Sequence, residues 1–299
     1  MKVVLAGCTG FIGKPLTEYL VQKGYDVVSL VRKNNPALPS TVKQVLWNGK
    51  DQGEWSKEID GAHAVVNLSG AGIADKRWTD ERKKLIVSSR VESTQAIKTA
   101  IENAIQKPKV WINASAVGYY GKLDNQIATE GSPAGNDFLA DTCRMWEEAT
   151  KGAEKYTRLV ILRIGVVLEK DGGALPKMAM PFKMFVGGHT GSGKQGFPWI
   201  HRDDVIGLIE FAIKNDKVEG VINATAPELL NNKEFCKVLA KVLKRPNLFP
   251  VPAFMLKMIF GEMSAMLLEG QLVKPLRAQE YGYTFKYPTA ESALKAIYG

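Results

Sequence analysis

Three glycines spaced three apart, Gly7, Gly10 and Gly13, lie between an apolar run, Val3-Val4-Leu5-Ala6, and a segment of helical periodicity, Phe11 to Lys23. A buried strand, a tight glycine turn and a helix, in that order, make a place for a dinucleotide. Free N–H groups and the dipole at the helix N-terminus favour a pyrophosphate there. Gly7 permits the turn, Gly10 lets the backbone approach the pyrophosphate, and Gly13 lets the helix pack closely on the strand. The spacing differs from the more frequent Gly-x-Gly-x-x-Gly, so its weight comes from the β-α-β context. The alternative is a glycine-rich turn with no ligand.

The next strand, Tyr25 to Val31, runs into Arg32-Lys33-Asn34 with no acidic residue. An acid at this point bonds the adenine-ribose 2′-hydroxyl, whereas a basic residue pairs with a 2′-phosphate. Arg32 offers a planar fork suited to phosphate, and Lys33 adds charge. The pair points to NADP(H). The alternative is two solvated residues at a strand end.

These groups need a scaffold, and the chain alternates short apolar runs with longer helical segments. Val42 to Leu46, Ala64-Val65-Val66-Asn67, Val110-Trp111-Ile112-Asn113, Leu159 to Ile164 and Val221-Ile222-Asn223 read as further strands. Asp80 to Ile105 and Asp137 to Lys155 read as helices. Continuous apolar strands separated by helices predict an α/β protein with a doubly wound parallel sheet covered on both faces. After about residue 225 the character changes. Asn231 to Leu243 is an amphipathic helix, residues 245–252 form a Pro-rich bend, and Ala253 to Leu268 reads as a helix carrying four methionines, expected to face the core. The expected division is a nucleotide-binding domain over residues 1–225 and a small, mainly helical C-terminal substrate domain over 226–299. The segment 171–198 includes a Gly-rich loop, Phe185 to Pro198, that is placed over the cleft or with the second domain.

Composition narrows the function classes. The 299 residues carry a formal charge of +9, from 40 basic and 31 acidic side chains, which favours anionic partners. The basic residues are dispersed, so nucleic acid is not expected as a partner. Cys8, Cys143 and Cys236 are isolated, with neither metal-ligand spacing nor a disulfide framework, and a reduced, cytoplasmic setting fits them. No run is long enough to span a membrane. The expected partner is a small-molecule substrate. The oligomeric state stays open between monomer and homodimer.

The glycine pattern, Asn67-Leu68-Ser69-Gly70 and Ser115-Ala-Val-Gly-Tyr-Tyr-Gly121 together resemble an extended short-chain dehydrogenase/reductase. Arg77-Trp78-Thr79, Ser89-Arg90-Val91 with Thr94, Phe138-Leu139-Ala140 with Cys143 and Trp146-Glu147, and Pro198-Trp199-Ile200-His201-Arg202-Asp203-Asp204 are similar to an atypical group of it, the "epimerase family" proteins. The tail, through Asn223-Ala-Thr-Ala-Pro-Glu228, Pro250-Val-Pro252 and Leu268-Glu-Gly-Gln271, is similar to that group's C-terminal domain. The resemblance covers essentially the whole chain. It implies a Rossmann-type fold and an NADP(H) site. Gly7, Thr9, Gly10, Phe11 and Ile12 would line the pyrophosphate, and Arg32 would take the 2′-phosphate. Leu68, Ser69 and Gly70 would line the adenosine and ribose side. Arg163 and Ile164 would approach the nicotinamide end.

Typical members of the superfamily use a Tyr-x-x-x-Lys pair, in which the lysine lowers the tyrosine pKa and the phenol exchanges a proton with substrate. Aligning Glu147 with the family's glutamate puts Leu139 and Cys143 at those positions; a shift of one gives Phe138 and Thr142. Neither supplies a phenol or an ammonium. The usual serine position falls on Ala116, and one extra residue in the turn restores Ser115. Tyr119 and Tyr120 are the remaining phenols near the expected nicotinamide, with at least one of them expected to be a packing residue. His201, one of three histidines, is the third candidate, with Asp203 or Asp204 either orienting it or capping the next helix. Ser115, Tyr119 and His201 are thus the candidate proton carriers. Another departure is Ala71-Gly72, where related sequences carry Glu-Pro. Two functions remain open: an oxidoreductase or nucleotide-sugar epimerase of unknown substrate, or an NADPH-binding regulatory or scaffold protein with little turnover.

Overall fold

Alternation along the first strand, β1 (Lys2–Ala6), sets the architecture. Val3 and Leu5 enter one apolar cluster and Val4 and Ala6 another, and all four are fully buried. A strand buried on both faces belongs inside a sheet flanked by helices. The computed structural model, which describes residues 1–123 and 126–299, has that sheet. The other strands are β2 (Asp26–Val31), β3 (Lys43–Leu46), β4 (Ala64–Asn67), β5 (Val110–Ala116), the two-residue β6 (Ile127–Ala128), β7 (Arg158–Ile164), β8 (Val166–Leu168), β9 (Trp199–His201), β10 (Gly220–Ala224) and β11 (Leu272–Val273). Seven of them form one parallel sheet in the order β3-β2-β1-β4-β5-β7-β10. The pairs β8–β9 and β6–β11 are separate parallel ladders.

The helices are α1 (Gly13–Gln22), α2 (Asp80–Asn103), α3 (Phe138–Glu148), α4 (Leu175–Lys183), α5 (Arg202–Lys214), α6 (Asn232–Leu243), α7 (Ala253–Phe260), α8 (Ala265–Leu268), α9 (Leu276–Glu280) and α10 (Ala290–Tyr298). Leu16 and Leu20 of α1 and Ile209 and Ile213 of α5 cover one face of the sheet. Ala96, Ile97, Ala100 and Ile101 of α2 cover the other. A third apolar cluster joins Leu168, Leu175, Phe182 and Trp199 to Phe235 and Leu239 of α6 and Leu294 and Ile297 of α10.

The C-terminal part departs from several expectations. The segment 171–198 includes α4, which buries Leu175, Ala179 and Phe182. Pro176 in its first turn suits a helix start, where a missing N–H costs nothing. The helix expected to reach Lys155 stops at Glu148, and Gly152 with φ +89° turns the chain into a short 3₁₀ segment. The helix expected over Ala253 to Leu268 is broken at Gly261, where φ is +57°. The methionines of α7 are not core residues as expected. Met258 is 71% exposed and Met255 39%, and Leu256 alone of the helix is buried. Two turns of helix that are apolar at every position but Lys257 present more surface than one neighbouring face can cover. Among the described residues no helix is long and apolar enough to cross a membrane.

Candidate functional site

β1 and β4 are neighbours at the place where the strand order reverses. The crevice outside the carboxyl ends of the strands at such a point is where open α/β sheets bind ligands. The glycine turn forms one wall. Gly7 has φ +80°, and a Cβ there would stand 2.6 Å from the Leu68 carbonyl carbon. A Cβ on Gly13 would stand 2.1 Å from the Gly7 oxygen. The fold itself therefore demands these two, which bring β1, the end of β4 and α1 together. Gly10 differs. It is exposed, and a Cβ would meet only the Gly7 oxygen, at 3.3 Å. Internal packing asks little of Gly10, whereas an incoming phosphate would need the space.

α1 starts without a side-chain cap and with no acidic residue in its first turn, so its N–H groups and dipole remain available to an anion. Thr9 is exposed beside them, and Ile12 is the residue that opens the helix. The Phe11 ring lies 5.2 Å from the Arg202 guanidinium carbon and packs against Gly172 and Gly173. Arg32 and Lys33 are exposed just beyond β2, and neither side chain has a partner among the described residues. On the opposite wall, Leu68 presses on Gly7, the Ser69 N–H donates to Asn67 Oδ1 at 3.1 Å, and exposed Gly70 borders Arg90.

The far end, at the carboxyl ends of β5 and β7, is built on a buried ion pair. Arg163 donates from Nε and Nη2 to the two oxygens of Glu147 at 2.8 and 2.7 Å. Burial works against the guanidinium charge, but the Glu147 carboxylate outweighs it and holds Arg163 above its ordinary range. Ser115 Oγ donates to the same carboxylate at 2.6 Å. Arg163 Nη1 donates to the Tyr120 hydroxyl at 3.0 Å, which donates in turn to Asn223 Oδ1 at 2.7 Å. Burial raises the Tyr120 phenol. The Tyr119 ring lies over Arg163, 3.3 Å from Cζ, and its hydroxyl has no hydrogen-bond partner among the described residues. Arg163 and Ile164 are the last two residues of β7, and the Arg163 side chain is turned into this network. Leu139 and Cys143 of α3 face the 115–118 turn, where a Cβ on Gly118 would meet both. Burial, then Glu147, pushes the Cys143 thiol up to about 12, so it is neutral. Phe138 instead meets the Trp78 ring edge to face, with centroids 5.1 Å apart.

His201 closes β9 and serves as the N-cap of α5. Its Nδ1 accepts from the Asp203 N–H at 3.0 Å, and its ring stacks on Tyr287 at 4.0 Å. Burial lowers its pKa. The capping role expected for one of the aspartates thus falls to the histidine. Asp204 accepts from the Lys286 and Tyr287 N–H groups at 2.7 and 3.0 Å, and Asp203 pairs with Lys286 Nζ at 2.7 Å, so both hold the C-terminal segment. The structure therefore joins Ser115 and Tyr119 through Glu147 and Arg163, and gives His201 a separate set of contacts. Asn223, Glu147 as an ion-pair partner and Arg90 were not among the sequence candidates. One signal was present: an arginine inside the apolar strand Leu159-Val-Ile-Leu-Arg-Ile164 requires a buried acid.

Comparison with known proteins shows the family. Residues 3–224 match the model of the NAD-dependent epimerase/dehydratase family, and residues 251–297 match a domain of unknown function, DUF1731. The chain is 43% identical to the chloroplastic epimerase family protein SDR39U1 homolog of Arabidopsis thaliana, over 99% of this chain and 86% of that one. It is 37% identical to human epimerase family protein SDR39U1 over 99% of both. A crystal structure of the human protein (isoform 2) with NADPH superimposes with a TM-score of 0.91 at 36% identity, covering 99% of each chain. UDP-glucuronic acid 4-epimerase from Bacillus cereus, at 18% identity and a TM-score of 0.77 over 100% of this chain and 96% of that one, shares the fold. The chain belongs to the NAD-dependent epimerase/dehydratase family.

Proposed function

We propose that the protein binds NADP(H) in the β1–β4 crevice and acts on a small molecule as an atypical short-chain dehydrogenase/reductase, as an oxidoreductase or nucleotide-sugar epimerase. The observation that carries this reading is the open turn at Gly10 and the uncapped start of α1, with unpartnered Arg32 and Lys33 one strand away. These groups fit the cofactor. Gly10 leaves the space a Cβ would fill, α1 offers N–H groups to a pyrophosphate, and Arg32 offers a fork to a 2′-phosphate. When bound, NADP(H) supplies or accepts hydride. The human relative with NADPH supports the same choice.

The protein's own residues then divide the polar work. Ser115, which is 2% exposed, has committed its one proton to Glu147, so toward any hydroxyl that reaches it the serine acts as a hydrogen-bond acceptor. Tyr119 keeps its hydroxyl free and is the phenol available for proton exchange. Glu147 pairs with Arg163 through both its oxygens and positions Ser115. Titration with NADPH and NADH tests the cofactor; equal affinity for both, or for neither, would defeat the Arg32 argument. Turnover against carbonyl compounds and sugar nucleotides tests the chemistry. A second reading, an NADPH-binding regulator with little turnover, is favoured by Leu139 and Cys143, which put neither a phenol nor an ammonium at the two positions of α3 where the pair is expected. Tight NADPH binding without turnover on any of these substrates would select it.

A further inference from the structure

Residues 252–266 leave one loop and return to it. Before α7, the Val251 N–H donates to the His189 carbonyl oxygen, and the Gly191 N–H to that of Val251, both at 2.9 Å. After it, the Thr190 hydroxyl and Gln195 Nε2 each donate to the Leu267 carbonyl oxygen at 2.8 Å. This loop belongs to the wall at the carboxyl end of β5. Gly196 lies against the Gln271 backbone, and Gln271 Nε2 donates to the Val117 carbonyl oxygen at 2.6 Å. The tip of the excursion reaches the opposite wall. Arg77, in the loop after β4, donates from Nε to the Ile259 carbonyl oxygen at 2.9 Å and from Nη2 to that of Met258 at 3.0 Å. Lys83 of α2 pairs with Glu262. β4 and β5 are adjacent in the sheet, so the excursion crosses the mouth of the crevice from one wall to the other.

Its root and its tip are held differently. At the root the bonds run mainly through backbone, and Gln271 is 7% exposed. At the tip Arg77 is exposed, and the Glu262 side chain is 64% exposed. Contacts of that kind hold weakly and are screened by salt. Within 252–266 only Leu256 and Ser264 are buried. Gly261, at φ +57°, has open space where a Cβ would stand, so nothing packs on the turn at the tip. An element with few buried contacts and exposed polar ties opens far more readily than the whole protein unfolds.

We propose that residues 252–266 are a flap over the reactant end of the crevice, latched shut by Arg77 and by the Lys83–Glu262 pair. The Arg77 guanidinium grips the last carbonyls of α7, the helix end that favours a cation. Closed, the flap keeps water from the nicotinamide and the reactant; open, it lets them pass. Its covering role rests on the reading of the crevice as an NADP(H) site, whereas its movement does not.

Hydrogen exchange of the full chain without ligand, read by mass spectrometry, tests the movement. In the wild type, amides of 253–262 are expected to exchange faster than those of α6. Exchange there should rise about threefold in Arg77→Ala and about tenfold in Arg77→Ala/Glu262→Gln. Unchanged protection of α6 and the central strands shows that the variants fold. Acrylamide quenching of NADPH fluorescence in the complex tests the cover, and its constant should rise about threefold in the double variant. A 253–262 segment as protected as α6, or one that exchanges alike in wild type and double variant, overturns the proposal. Equal quenching in the two overturns it as well. A wild type that binds no NADPH, but whose 253–262 exchange responds to the double substitution, sinks the cofactor reading and leaves the flap standing.

Discussion

The two ends of the crevice follow opposite plans. At the glycine turn the protein leaves its polar groups unanswered: Gly10 is open, α1 is uncapped, and Arg32 and Lys33 stand without partners among the described residues. At the far end Ser115, Glu147, Arg163, Tyr120 and Asn223 satisfy one another, and the Tyr119 hydroxyl is left over. The open end is pre-formed to receive charge from outside. The closed end is first a piece of structure, holding β5, α3, β7 and β10 in register, and only its edge is available for chemistry.

The largest effect is expected where the closed end is cut. Glu147→Ala would leave the Arg163 guanidinium, whose side chain is 4% exposed, without its counterion. Breaking a buried pair in this way costs about 3–5 kcal/mol. Urea denaturation should show that loss; a change below about 1 kcal/mol would mean that the network is peripheral and the contrast is wrong.

Next, the glycines separate folding from binding. Gly13→Ala would drive a Cβ into the Gly7 carbonyl and should cost about 1–3 kcal/mol, because backbone must move to admit it. Gly10→Ala should leave stability nearly unchanged and weaken NADPH by about tenfold or more. Thermal denaturation beside an NADPH titration reads both. If Gly10→Ala destabilises as much as Gly13→Ala, the open turn is a folding feature after all. Arg32→Glu, at an exposed site, should weaken NADPH by about tenfold or more and leave NADH affinity little changed. A parallel loss for both cofactors would remove the 2′-phosphate from the argument.

The difference between the two ends also explains how much the sequence revealed. β1, β2, β4 and β7 are read within a residue or so, because a strand buried on both faces reads as a nearly continuous apolar run. The glycine turn is legible because backbone geometry and ligand space both select glycine. The closed network is not, since its partners, Ser115, Glu147 and Asn223, are far apart in sequence and each is an ordinary residue alone. α7 misled for a related reason. Its methionines have a core-like periodicity, but whether a neighbour covers them depends on the break at Gly261 and on tertiary packing.

The smallest effect tests whether His201 belongs to either end. As the N-cap of α5 it accepts from the Asp203 N–H, a role open only to its neutral form at Nδ1. Burial depresses its folded pKa below the ordinary 6.5, so the unfolded chain takes up a proton first. The stability that His201 contributes is therefore present above about pH 6.5 and is lost as pH falls below it. Asp204 has the opposite sign: burial raises its carboxyl above the ordinary 3.8, which favours the fold as pH falls toward that range. His201→Asn removes the first contribution and leaves the second in place. Asparagine accepts the same capping bond, so stability at pH 7 should stay within about 1 kcal/mol of wild type, while the decline below pH 6.5 becomes shallower. Denaturation midpoints from pH 7.5 down to 5 measure it. Unchanged acid sensitivity, together with lost turnover on a substrate that the wild type converts, would move His201 from the scaffold to the working edge of the site.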